Sequence, residues 1–323
     1  MNVPLSGENN YMKILITGAN GFVGSHVLES LLEDSENEIA VTLRTTSDIS
    51  RIRTYLENNE VAIFYLDKEG IDTIITRFKP EIVIHLAVYY KKNHDFGDID
   101  EMFDSNVTFP TKILDSMVKN NLKFFINTGT FTEFLLDQNY LAATSKISPS
   151  NLYSATKVAF EEILKFYSEK FGIRAITLKL LAPYGPKDNP KKLIPYLINC
   201  AIRNETAKTS PGEQTWDFIY VKDVARAYKL AVQFITRNWN KYEVFIIGTG
   251  EVFSIKDIAK LLKEVHGNLN VEWGALPYNE SETYYVKADI AKAQNLLKWK
   301  PTFSVQRGLH VTYNYYNEVS KDE

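Results

Sequence analysis

The chain has a single cysteine, Cys200, so no disulfide can form within it, and a reducing, cytoplasmic setting is expected. Its five histidines (His26, His85, His94, His266 and His310) are scattered and lack the short spacings of a metal site. No apolar run reaches the ~18 residues that span a bilayer, so no membrane association is expected. Excess charge is missing too: 37 Lys and Arg against 40 Asp and Glu leave a net charge of −3. With no basic stripe, this argues against nucleic acid as a partner. The opening MNVPLSGENNY has neither the basic nor the apolar region of a signal peptide, and residues 1–11 are expected to form a short disordered extension. There is no internal repeat and no low-complexity tract.

What the chain does contain is alternation. KILIT (13–17), EIAVTL (38–43), VAIFYL (61–66), EIVIHLA (81–87), KFFINT (123–128) and RAITLKL (174–180) are short, nearly continuous apolar runs, as strands buried on both faces should be. Helical patterns fit between them at 22–33, roughly 48–57, roughly 68–78, 99–119 and 152–171. This predicts an α/β fold with a doubly wound parallel sheet. After Leu181 the pattern loosens. APYGPKDNPKK (182–192) reads as a loop, while DFIYV (217–221), a helix over 222–236 and EVFII (243–247) are expected to return to the sheet. One domain would then comprise 12–182 plus 217–249, and a smaller C-terminal lobe 183–216 plus 250–323, closed by a tyrosine-rich helix from Ser304.

KILITGANGFVGSHVLESLL places Gly18, Gly21 and Gly24 between the first strand and the first helix. Residues without a Cβ allow the tight turn and let a pyrophosphate approach the N–H groups of the helix start. The spacing is one residue wider than the G-x-G-x-x-G fingerprint of dinucleotide-binding Rossmann folds. Asn20, Phe22 and Val23 complete the turn and join the candidate cofactor contacts. At the end of the second strand, VTLRTTSD puts Arg44, Thr45, Thr46 and Ser47 where an NAD site usually has an acidic residue. A cation among hydroxyls suits a 2′-phosphate, so NADP(H) is favoured and NAD(H) is the alternative. Asp48 lies further on and is expected to cap the next helix.

In NLYSATK, Tyr153 and Lys157 are four residues apart and share one helical face. Alone, they could be a solvated pair. Ketone reduction needs a proton delivered to oxygen, and a phenol of pKa ≈ 10 is a poor acid/base at neutral pH unless a cation stabilises its phenolate. TGANGFVG, IVIHLA, the helix containing Asn106, NLYSATK, APYGP, DFIYVKDVARA and KADIAKAQNLLKWKPTFS follow in order from about residue 13 to about 310. Together they resemble the extended short-chain dehydrogenase/reductases that act on nucleotide sugars, the NAD-dependent epimerase/dehydratase family. INTGTF, NLYSATK and SPGEQ followed by DFIYV are most similar to 4-ketoreductases of the CDP-abequose and CDP-paratose synthase kind, which make sugars for surface glycans such as the lipopolysaccharide O-antigen. The resemblance implies that Tyr153 is the catalytic acid/base and that Lys157 holds the nicotinamide ribose and lowers the tyrosine pKa. It implies that Thr130 bonds the reacting oxygen, with Thr128 as the alternative and a cofactor contact. Phe134 takes the place of a common family tyrosine. The resemblance also implies that Asp67 contacts adenine, that Leu86 and Ala87 line the cofactor, and that Pro183 lies near the nicotinamide amide.

The same resemblance offers three reactions. A 4,6-dehydratase carries Asp–Glu or Ser–Glu directly after the threonine; here Phe131 and Thr132 follow Thr130, and Glu133 is one residue too far, read as a solvated loop glutamate. A 4-epimerase keeps its NAD, against the Arg44 reading. A 4-ketoreductase needs only Thr, Tyr, Lys and a dissociable NADPH, and is favoured; the further alternative is a non-catalytic NADP-binding regulator. The C-terminal lobe is expected to take the nucleotide sugar, with Lys192, Gln214 and Trp216 as substrate contacts. Trp216 replaces an arginine, and Ala182 an asparagine, common in relatives. Lys191, Arg203 and Lys287 are further diphosphate cations or plain surface. A homodimer through helices 99–119 and 152–171 is implied, with Phe160, Ile163, Leu164 and Tyr167 as apolar surface.

Overall fold

The computed structural model describes residues 12–34, 36–136, 140–238, 240–278 and 283–321, so the extension expected at 1–11 lies outside them. The first half alternates strand and helix: β1 (Lys13–Thr17), α1 (Phe22–Leu32), β2 (Glu38–Leu43), α2 (Arg53–Glu57), β3 (Ala62–Tyr65), α3 (Leu66–Phe78) and β4 (Ile82–His85). Then come α4 (Ile99–Phe103), a π-helical turn (Asp104–Thr108), α5 (Phe109–Lys119), β5 (Phe124–Thr130), a 3-10 turn (Phe131–Glu133), α6 (Leu152–Phe171) and β6 (Arg174–Leu180). The remainder comprises β7 (Ala182–Tyr184), α7 (Leu193–Arg203), β8 (Thr206–Thr209), β9 (Thr215–Trp216), β10 (Phe218–Tyr220), α8 (Val221–Arg237) and β11 (Tyr242–Ile247). It closes with β12 (Phe253–Ser254), α9 (Ile255–His266), β13 (Asn270–Trp273), β14 (Tyr285–Val286) and α10 (Val305–Val319).

The central sheet has seven strands in the order β11-β6-β5-β4-β1-β2-β3, all parallel. Alternate side chains of β1 serve opposite faces. Ile14 and Ile16 pack with Val27, Leu28 and Leu31 of α1 and with α8, whereas Leu15 packs with α3, α5 and α6. Burial on both faces explains the continuous apolar runs, each such side chain contributing about 1.5–3 kcal/mol. The chain reverses its winding between β1 and β4, so a crevice opens at the carboxyl ends of these two strands. A second apolar cluster joins Tyr184, Ile194, Leu197 and Ile198 to Ile258, Leu262 and Leu309 of α9 and α10.

Three expectations are corrected. DFIYV does not return to the main sheet: β10 pairs with β7 in a separate two-stranded sheet, and only β11 joins the central one. Residues 99–119 are not one regular helix, because the π-turn interrupts them. Asp48 caps no helix; it accepts the Ser50 N–H at 2.9 Å in a turn, and α2 starts later, after Ile52. Among the described residues no helix is long and apolar enough to cross a membrane.

Candidate active site

The glycine turn is built for close approach. Gly18 has φ +75°, and a Cβ there would lie 2.4 Å from the Ala87 nitrogen and 2.6 Å from the Leu86 carbonyl carbon. A Cβ on Gly24 would fall 2.1 Å from the Gly18 oxygen, so α1 packs against the turn only because residue 24 is glycine. Helix α1 begins at Gly21 with no side-chain cap, leaving its first N–H groups for an anion. Gly18, Asn20, Gly21, Arg44, Ser47, Leu86 and Ala87 share one cleft of about 1370 Å³. These residues fit a dinucleotide. Phe22 and Val23 form the first turn of α1 beside them.

At the end of β2 the chain turns tightly: the Arg44 N–H donates to Ser47 Oγ, and the Ser47 N–H to the Arg44 carbonyl, each at 2.9 Å. The Arg44 side chain is exposed on the cleft wall. Thr45 donates its N–H to Asp67 at 3.1 Å and its hydroxyl to the same carboxylate, which holds that carboxyl below its ordinary range. Asp67 thus fastens the second strand's turn to the start of α3.

Helix α6 carries Tyr153 and Lys157. Asn151 caps it, its side chain accepting the Ser154 N–H at 2.9 Å, and Gly172 ends it at φ +73°. Tyr153 is half-buried and stands edge-on to the Tyr90 ring, with centroids 4.8 Å apart. Tyr90 follows Val88 and Tyr89, which line the cleft, whereas Tyr90 and Tyr153 are not themselves among its lining residues. Lys157 is buried at 3% exposure.

The expected lowering of the tyrosine pKa is not what the surroundings produce. Burial pushes the Tyr153 phenol up, and Glu133, Tyr90 and Tyr228 add to the rise. Lys157 is instead driven down to about 8 by burial, partly opposed by Glu133. Tyr153 is therefore a protonated phenol at neutral pH, in the form that gives a proton.

The threonines after β5 differ in occupation. Thr128 Oγ1 donates to the His85 carbonyl at 2.8 Å and meets the Tyr228 hydroxyl at 2.6 Å, so it is engaged inside the fold. Thr130 Oγ1 meets Thr132 Oγ1 at 3.1 Å, and Ser154 of α6 donates to Thr132 Oγ1 at 2.7 Å. Thr132 was not singled out from the sequence; it links Thr130 to the helix of Tyr153.

Glu133 requires a correction. It is not a solvated loop residue but fully buried, 0% exposed. One carboxylate oxygen accepts the Thr130 N–H at 2.6 Å, and the other pairs with Lys179 Nζ at 2.5 Å. Lys179 of β6 also pairs with Glu161 of α6 at 2.6 Å. The sequence held one hint. A Cβ on Gly129 would lie 2.9 Å from Glu133 Oε1 and from Lys179 Cγ, so the strand glycine makes room for the pair.

The candidate substrate residues do not converge on the cleft. Lys192 pairs with Asp188 at 3.0 Å and lies 5.2 Å from the centre of the Phe22 ring, on the glycine-turn side. Gln214 is buried and donates to Ser210 Oγ at 3.0 Å. Trp216 gives its indole N–H to the Thr283 carbonyl at 2.7 Å and packs against Phe218, so packing engages it. Pro183 lies in β7, opposite Ile219 of β10. Phe160 and Leu164 are buried in the core at 0%, not free for an interface; the exposed rings of α6 are Phe166 and Phe171.

Residues 14–248 match the NAD dependent epimerase/dehydratase family. The chain belongs to that family. Among curated relatives it is 29% identical over 309 residues to CDP-abequose synthase of Salmonella typhimurium, covering 92% of this chain and 95% of the relative. It is 30% identical over 308 residues to a putative UDP-glucose 4-epimerase of Methanocaldococcus jannaschii, covering 94% and 97%. Among solved structures, UDP-glucuronic acid 4-epimerase from Bacillus cereus, in complex with UDP-glucuronic acid and NAD, superposes with a TM-score of 0.86 at 25% identity, over 95% of this chain and 100% of that one. As a member of this epimerase/dehydratase family the protein is an enzyme that modifies nucleotide sugars.

Proposed function

We propose that the protein reduces the C4 ketone of a nucleotide-linked 4-keto-6-deoxy or dideoxy hexose, with Tyr153 giving the proton to the sugar oxygen. A bound nicotinamide would supply the hydride. The observation that carries this reading is the orientation of Glu133. The turn Thr130-Phe131-Thr132 presents hydroxyls, while its one carboxylate is closed off in an ion pair with Lys179. Dehydration needs an acid and a base on the sugar; reduction needs one proton donor, and Tyr153 is held protonated.

In this reading Thr130 bonds the reacting oxygen and Lys157 holds the nicotinamide ribose. Gly18, Gly21 and the start of α1 take the pyrophosphate, and Arg44 with Ser47 takes a 2′-phosphate, which favours NADP(H). Asp67 positions Thr45 at the adenine end. The lobe around the second apolar cluster takes the nucleotide. The exposed Phe166 and Phe171 on α6 favour a homodimer through the α5–α6 face, read out by light scattering on a size-exclusion column.

The test is NADPH consumption against CDP-, dTDP-, GDP- and UDP-linked 4-keto-6-deoxy sugars. Oxidation of one NADPH per ketone reduced is expected, and the panel identifies the nucleotide and the C4 configuration. The likeness to an NAD-bound 4-epimerase favours a second reading, a 4-epimerase with tightly held NAD. Interconversion of a saturated sugar without net change in nicotinamide would select it.

A further inference from the structure

Four charged side chains, two of each sign, form a buried cluster on the helix of Tyr153 and on the strand and turn beside it. Lys157 and Glu161 lie one and two turns along α6, Lys179 comes from β6, and Glu133 from the turn after β5. All four are buried, with Lys157 at 3%, Glu161 at 5%, Lys179 at 1% and Glu133 at 0% exposure. Lys179 bridges the two carboxylates at 2.5 and 2.6 Å. Burial pushes the Glu133 carboxyl up, but the Lys179 ammonium and the Thr130 N–H each donate to one of its oxygens and favour the carboxylate. Two ammoniums against two carboxylates sum to zero. Remove Glu133, and two ammoniums face one carboxylate beside the phenol.

We propose that Glu133 is a positioning residue for the reaction: it balances the second buried ammonium, keeps Tyr153 as a phenol, and fixes through the Thr130 N–H the turn that carries the Thr130 hydroxyl. The inference rests on the reading of Tyr153 as the proton donor to a ketone. In that step the Tyr153 O–H bond would break as an O–H bond forms on the sugar oxygen, a bound reduced nicotinamide would supply the hydride that forms the C–H bond as the C=O π bond is lost, and solvent would later return the proton to Tyr153. A site neutral apart from its phenol keeps Tyr153 in the protonated form that reduction consumes, whereas a site with one net positive charge would shift it toward the phenolate, the form that takes a proton in oxidation of an alcohol.

Further titratable groups surround the cluster: Tyr242 of β11 bonds Glu161, and burial and that carboxylate push its phenol up. Tyr90 faces Tyr153 from the loop after β4 and Tyr228 from α8, and both raise its pKa, as Glu133 does. His85, in β4, is kept neutral by burial and by Lys157. Glu161 is held ionised against its burial by Lys179 and Lys165.

The test uses the full chain labelled with 13C at the tyrosine phenolic carbon, the Tyr153 signal being the one lost in Tyr153→Phe. In Glu133→Gln this signal is expected to begin its ionisation shift about one pH unit below the wild type. The alkaline limb of ketone reduction should move down by the same amount. Glu133→Asp should keep the wild-type limb. Glu133→Gln combined with Lys179→Met, which restores the charge balance, should bring the limb back; a purely structural role would make the double variant as impaired as the single one, or more so. Coincident Tyr153 signals in wild type and Glu133→Gln to about pH 11, or no return in the double variant, overturns the proposal. The NMR arm needs no substrate. A wild type that reduces none of the ketone panel would therefore sink the ketoreductase reading while leaving Glu133 to be decided separately.

Discussion

The side chain of Asn106 holds both backbone groups of Tyr89, accepting its N–H at 2.8 Å and donating to its carbonyl at 3.0 Å. The same amide nitrogen donates to Thr156 Oγ1 at 3.0 Å. The loop that presents Tyr90 to Tyr153 is thereby latched to the helix that carries Tyr153, and the π-turn at Asp104–Thr108 places Asn106 at that junction. Asn106→Ala should leave the fold intact but cost about 1–2 kcal/mol in denaturant unfolding, because partly buried backbone groups of Tyr89 lose their partner. It should lower kcat by roughly 10- to 100-fold through misplacement of Tyr90 and Tyr153. An unchanged kcat would show that the latch does not position the site.

Lys157 gives a pH dependence with a definite sign. Its folded-state pKa is about 8, against an ordinary 10.5, because burial disfavours the charged form. Between these values the unfolded chain binds a proton that the folded one does not, so stability falls as pH drops from about 10.5 through about 8, and the loss is complete below that. Lys157→Met should therefore be more stable than the wild type at pH 7, by about 1–3 kcal/mol without cofactor, and lose that advantage near pH 10. Urea unfolding at the two pH values checks this. In the proposed reading of Lys157 as the residue that holds the nicotinamide ribose, activity should be lost in the same variant.

The parts legible in the sequence were those set locally. Asn151 and Gly172 mark both ends of α6 by their own chemistry, and the glycine turn needs no distant partner to be recognised. Strands buried on both faces announce themselves as apolar runs. The parts missed depend on partners far along the chain. The three apolar residues of β10 fit either sheet, and the neighbouring Asp217 helps fix their place by taking N–H groups of Thr249, Gly250 and Ala288. Glu133 reads as a loop carboxylate until Lys179, 46 residues on, is brought beneath it. The tyrosine pKa was misjudged for the same reason, since the dominant cause is burial by distant elements and not the lysine one turn away.

The proposed preference for NADP(H) can be tested at Arg44. Its side chain stands on the cleft wall beside Ser47, on a turn closed by two 2.9 Å backbone-linked bonds. Arg44→Ala should weaken NADPH binding by about tenfold or more and change NADH binding by no more than about threefold, because only the 2′-phosphate loses its cation. Fluorescence titration with each nucleotide reads this directly. Equal losses for both would place Arg44 on a part of the cofactor that the two share and remove the basis for favouring NADP(H).

Gly129 and Glu133 approach closely, and a double-mutant cycle measures whether they are coupled. An alanine methyl at 129 would press within 2.9 Å of Glu133 Oε1 and of Lys179 Cγ, and within 3.1 Å of Thr177 Cγ2. The carboxylate cannot swing aside without giving up Lys179 or the Thr130 N–H, so the strain has no cheap release. Gly129→Ala should destabilise the wild type by about 1–3 kcal/mol. In a Glu133→Ala background the space under the strand opens, and the same substitution should cost less by at least about 0.5 kcal/mol. Additive effects in a double-mutant cycle would mean that residue 129 is glycine for its neighbours on β6 alone. Coupling of the expected sign would mean that the turn after β5 was shaped around a buried carboxylate, which is the feature that separates this site from one whose carboxylate faces the sugar.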